Sequence, residues 1–152
     1  MNCIVAAIIA VAAITSAHAA GDPAKTHGIV NQVCAACHGI DGNSPLSANP
    51  SLAGQHPEYL LKQLTEFKSG ARSNAVMAAM VANLSLDDMR NLAVYYAAQI
   101  PQQMGARDKE LVAQGRKLYR GGNASNSLAA CAGCHSPNGS GIPAQYPRLA
   151  SQ

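Results

Sequence analysis

The chain has no tryptophan and a single phenylalanine, Phe67, and aromatic residues make up 4% of its 152 positions. Small domains built mostly from alanine, leucine and glycine have thin cores and usually need a metal or a covalent cross-link to hold them. Charge is also scarce, at 12% charged residues and a formal net charge of +3. The densest basic stretch, Arg107 to Arg120, mixes five basic with two acidic residues. It reads as a solvated helix face, not as a nucleic-acid stripe. With 48% apolar residues the chain is not a disordered one. No alternating strand pattern is evident. After the first twenty residues no apolar run approaches the length of a membrane-spanning helix.

The N-terminal MNCIVAAIIAVAAITSAHA is a short apolar run ending in Ala17-His18-Ala19, an A-x-A pattern. It predicts a secretory signal peptide over residues 1–19, with Ala20 the first mature residue, although its leading segment has no Lys or Arg. Cys3 leaves with it. The mature chain is then an exported protein with four cysteines and no membrane span.

Those four are Cys34, Cys37, Cys131 and Cys134, in the stretches CAACH and CAGCH. A disulfide between residues three apart is strained and staples nothing. A thioredoxin-like site would need a strand before it. Two knuckles sharing a zinc would sit much closer together in sequence. The residue that follows each pair, His38 and His135, decides between these readings, because Cys-x-x-Cys-His is the attachment signal for c-type haem. Residues i and i+3 lie on one face of a helical turn, so both thiols reach the two vinyl groups of one porphyrin. The adjacent histidine then offers iron a neutral imidazole nitrogen. Two such motifs predict two covalently bound haem c groups.

An offset of 97 superimposes the motifs and carries Gly42 onto Gly139, Pro50 onto Pro147, Leu52 onto Leu149, Ala53 onto Ala150 and Gln55 onto Gln152 without a gap. The chain is therefore an internal repeat. Helices are expected at 24–33 and 108–120, one before each motif, with GGNASNS at 121–127 as an inserted loop. In the first half, PEYLLKQLTEFKSG at 57–70 carries a Leu60, Leu61, Leu64, Phe67 face between Pro57 and Gly70. A helix from about Ser85 to Gln99 opens on a Ser85/Asp88 capping box and carries a Leu86, Met89, Leu92, Ala93, Tyr96 stripe. QQMGA at 102–106 is the linker. The stretch ARSNAVMAAMVAN between these helices reads as irregular and able to fold over a haem face, so Met77 and Met80 are both candidates for the sixth iron ligand. Met89 reads as core and Met104 as exposed linker. His27 and His56 read as structural histidines. No Met or His follows His135.

These stretches, together with QGRKLYRGG and YPRLASQ, resemble the periplasmic di-haem class I cytochromes of the c-four type. The resemblance implies an all-α fold of tandem class I cytochrome c domains, the second truncated after its haem-attachment region. The implied division is domain 1 over 20–100, a linker over 101–106 and the N-terminal part of domain 2 over 107–152. It also implies an electron carrier, not an enzyme, working in the periplasm towards terminal oxidases. Its redox partners would be a terminal oxidase, a quinol-oxidising complex or a dehydrogenase, with no nucleic acid. Counted from the following LS, the family's ligand methionine falls on Met77, with Met80 the second choice. The carry-over also gives Pro50 and Pro147 as carbonyl partners of His38 and His135. A sixth ligand for the second haem has no counterpart in this chain, and two readings of that ending stay open, an incomplete sequence or a five-coordinate haem. The rival functions are a di-haem peroxidase-like enzyme, for which no distal His/Glu/Arg set is evident, and the electron-transfer subunit of a periplasmic dehydrogenase.

Overall fold

The computed structural model describes residues 23–103 and 105–152. The expected signal peptide, Cys3 and Met104 lie outside the described residues. Regular structure among the described residues is helical, and the β-type pairings there are two isolated bridges, Asn123 with Leu128 and Ile142 with Tyr146.

The first half begins with one helical run in three parts: α1 (Pro23–Ile29), a π turn (Val30–Cys34) and α2 (Ala35–His38). The π turn closes with the Ala35 N–H donating to the Val30 carbonyl. Such wide turns mark positions where a helix is re-aimed, and here the wide turn ends on the first motif cysteine. The run stops at Gly39, whose φ of +77° suits glycine; a Cβ there would stand 2.5 Å from the Asn43 carbonyl oxygen.

Helix α3 (Pro57–Ser69) starts with proline in its first turn and ends on Gly70 in the left-handed conformation. Helix α5 (Leu86–Ala97) opens on a complete capping box: the Ser85 hydroxyl accepts from the Asp88 N–H, and the Asp88 carboxylate accepts from the Ser85 N–H at 2.9 Å. The two helices pack on each other, and α1 closes against α5. Their shared core is Val30, Leu60, Phe67, Val81, Leu84, Met89, Leu92, Ala93 and Tyr96, all buried. Lys25 on α1 pairs with Asp88 at 2.6 Å, which ties the two chain ends of this module together. That pairing, with the Ser85 hydroxyl and N–H behind it, holds the Asp88 carboxyl down at about 2.

Two expectations are corrected. The stretch with Met77 and Met80 is not irregular, because α4 (Ala75–Val81) forms there. Asn74 caps it by accepting from the Met77 N–H at 2.9 Å, so the residue that read as loop is the helix start. Leu86 also leaves the apolar stripe: it is the first residue of α5 and is exposed, since the stripe enters the core only one turn later.

The second half contains α6 (Leu111–Gly121), a short 3-10 turn (Ala124–Asn126) and α7 (Ala132–His135). Neither α6 nor α7 has a buried residue. The expected 121–127 loop is pinned by mutual Asn123–Leu128 main-chain bonds at 2.8 and 2.9 Å.

Candidate haem sites

Each Cys-x-x-Cys-His motif sits on a single helical turn that ends at its histidine. In the first, Cys34 closes the π turn and Cys37 lies in α2. In the second, Cys131 caps α7, and the His135 N–H donates to its carbonyl at 2.9 Å. None of the four motif cysteines is joined in a disulfide. Among the described residues no three His, Cys, Asp or Glu side chains gather as a metal site.

Beyond each histidine the chain makes the same strap twice. The Gly42 carbonyl accepts from the Leu52 and Ala53 N–H groups at 2.6 and 3.1 Å. The Gly139 carbonyl accepts from the Leu149 and Ala150 N–H groups at 2.8 and 3.0 Å. Gly42 and Gly139 hold φ values of +77° and +75°. The strap presents one carbonyl to the histidine ring. His38 Nδ1–H donates to Pro50 O at 2.8 Å, and His135 Nδ1–H donates to Pro147 O at 2.9 Å. With Nδ1 occupied as a donor, the lone pair of each ring is left on Nε2. This fixes the tautomer and aim of an imidazole ligand.

The surroundings of the two rings differ. His38 is buried and His135 half-buried. Tyr146 meets the His135 ring edge-on, with centroids 5.7 Å apart. Around the first motif, the Tyr96 hydroxyl is buried without a hydrogen-bond partner, and burial pushes the phenol far above its ordinary value, with the Cys34 thiol adding to the effect. Burial likewise raises the Cys34 thiol, while the Tyr96 hydroxyl acts in the opposite direction. A buried tyrosine hydroxyl whose one polar neighbour is the Cys34 sulfur, a histidine keeping Nε2 and two thiols on one helical turn together fit covalent haem. The haem supplies a one-electron change at iron. The protein's part is to orient the imidazole, wall the group with apolar side chains and exclude water.

Met77 is half-buried and packs against the same core cluster as Cys34 and Leu52, whereas Met80 is 42% exposed and stands outside it. Met89 is core. The stray histidines are otherwise engaged: His27 lies edge-on to Tyr95, and His56 Nε2–H donates to Ser140 O at 2.7 Å. Sequence reasoning placed Tyr96 on the apolar stripe of α5 but not beside Cys34. It missed Tyr146 beside His135 and the Gln55 side chain, which pairs with Arg148 of the second half; of these two, Gln55 left a signal, its recurrence at Gln152.

This geometry has close counterparts. The chain is 47% identical over 146 residues to the cytochrome c4 of Azotobacter vinelandii, covering 90% of this chain and 69% of that protein. The chain belongs to the cytochrome c4 family. The crystal structure of reduced recombinant cytochrome c4 from Pseudomonas stutzeri superimposes with a TM-score of 0.74 at 43% identity, covering 86% of this chain and 73% of that one. The family model for cytochrome c oxidase, cbb3-type, subunit III matches residues 21–95. A relative of a different name, the thiosulfate dehydrogenase electron acceptor of Thiomonas intermedia, is 37% identical over 122 residues, covering 78% of this chain and 56% of that protein. As a cytochrome c4 the chain has the class I cytochrome c fold, uses c-type haem and transfers electrons to and from redox partners; it is not an enzyme, which sets aside the peroxidase-like reading. No helix among the described residues is long and apolar enough to cross a membrane.

Proposed function

We propose that this cytochrome c4 is a periplasmic two-haem electron carrier working towards terminal oxidases. One haem is tethered by Cys34 and Cys37 and ligated by His38 and Met77. The other is tethered by Cys131 and Cys134 and ligated by His135. The carrying observation is the duplicated proximal geometry, in which two histidines donate Nδ1–H to the proline twelve residues on. It supports division into the modules 20–100 and 107–152, joined through 101–106; the apolar run ending in Ala17-His18-Ala19 supports a signal peptide at 1–19. Met77 is preferred over Met80 because it borders the buried cluster that also receives Cys34.

A second reading concerns the donor. The Thiomonas intermedia relative is named an electron acceptor of thiosulfate dehydrogenase, which favours a periplasmic dehydrogenase as the source of electrons. The two readings describe the two ends of one transfer. Pyridine haemochrome analysis of the exported protein tests the cofactor reading, with two haems per chain expected and one or none refuting it. Reduction by a thiosulfate-oxidising dehydrogenase and oxidation by a terminal oxidase, followed separately in the visible bands, test the two ends.

A further inference from the structure

The two halves meet along a seam of main-chain contacts. Gln55, only 5% exposed, reaches from the first strap to the second. Its Nε2 donates to the Arg148 carbonyl at 3.0 Å, and its Oε1 accepts from the Arg148 N–H at 2.8 Å. The same oxygen accepts from the His56 N–H at 3.1 Å, and His56 Nε2–H donates to Ser140 O at 2.7 Å.

The Arg148 N–H and the Pro147 carbonyl belong to one planar peptide group. On one edge that group donates to Gln55; on the other it accepts from His135 Nδ1–H at 2.9 Å. Hydrogen bonds on opposite ends of an amide polarise it in the same sense, and each strengthens the other by roughly 10–30%. A better acceptor at Pro147 O draws the imidazole proton further and makes the ring a stronger donor to iron, which favours the oxidised state.

We propose that Gln55, a residue of the first module, is a positioning residue for the second haem: through the Pro147–Arg148 peptide it sets how strongly His135 is held and how basic its ring is. This rests on the haem reading above.

The test uses the haem-loaded chain with nitrogen-15-labelled histidine in the ferrous state, under carbon monoxide for the resonances so that the His135 iron is low-spin and diamagnetic, and without it for the potentials. Gln55→Met keeps the side chain's length but removes both polar atoms. The His135 Nδ1–H resonance should move upfield and the potential of its haem should rise, with the His38 resonance unmoved. Gln55→Glu, as the carboxylate, offers the Arg148 N–H a stronger acceptor, so the same resonance should move downfield and the same potential should fall. A mere fastener predicts no opposition of sign, and a bare charge effect moves the His38 haem as well. His135 resonances that are unmoved in both variants, or that move in one direction in both, overturn the proposal. Haem content separates this failure from the other one: two haems per chain with a silent His135 rejects the relay, whereas a wild-type chain lacking two haems rejects the cofactor reading beneath it.

Discussion

Replacing Gly42 with alanine should cost the fold more than replacing Gly70, although both hold left-handed backbone, at φ +77° and +81°. That backbone costs an L-residue about 1–2 kcal/mol at either site. At Gly70 a Cβ would meet nothing within 4 Å, so the backbone term is the whole cost. At Gly42 the added carbon would lie 2.7 Å from Tyr96 Cδ1 and 2.8 Å from Ala53 N. Neither neighbour can yield cheaply, since Tyr96 is buried in α5 and the Ala53 N–H is bonded to Gly42's own carbonyl. Overpacking of this kind adds about 1–3 kcal/mol, giving about 2–5 kcal/mol for Gly42→Ala against about 1–2 kcal/mol for Gly70→Ala. Urea unfolding of the haem-loaded protein, followed by far-ultraviolet circular dichroism, reads the difference as a midpoint shift at unchanged slope. Equal midpoints for the two variants would refute the claim that the first strap is wedged against α5. The same push on the strap moves Pro50 away from His38, so Gly42→Ala alone should also weaken the histidine's proximal bond.

Met77→Ala should turn the first haem high-spin and lower its potential, while Met80→Ala leaves its spectrum unchanged; the reverse result would reassign the ligand. Asp88 is held near 2 against an ordinary 3.8, so its ionised form stabilises the fold above pH 3.8, and this contribution fades as pH falls towards 2. Asp88→Asn should therefore lower the melting temperature at neutral pH and flatten its dependence between those two values. Leu92→Ala, at one of the largest fully buried side chains of the core, should cost about 2–5 kcal/mol in the same urea assay.

The parts of this protein that repeat or alternate were open to reading from sequence. The haem motifs, the offset of 97, the Ser85 cap and the α3 face each follow from spacing within a few residues. Helix α4 escaped because its AVMAAMV is too short and too uniformly apolar to show a period, and Asn74 reads as readily as a turn as it does as a cap. The exposed Leu86 shows the opposite error, where periodicity extends a stripe into a first turn that the core does not reach. Tyr146 beside His135 and Gln55 beside Arg148 are placed by the way the chain folds back, and local pattern holds no record of such contacts. The duplicate at Gln152 marked Gln55 as part of a repeated unit without saying which atoms it would touch.

Every atom that the second module offers to Gln55 and His56 across the seam is main chain: the Arg148 N–H, the Arg148 carbonyl and the Ser140 carbonyl. A joint addressed to backbone is blind to side-chain identity on its receiving side. The side chains at 140 and 148 take no part in that joint, so a change of charge or size there leaves the grip between the two modules in place, at the cost only of the Arg148 Nε–H bond to the Ala150 carbonyl within its own strap. Proline at 148, which has no N–H to give, is the one residue such a change must avoid.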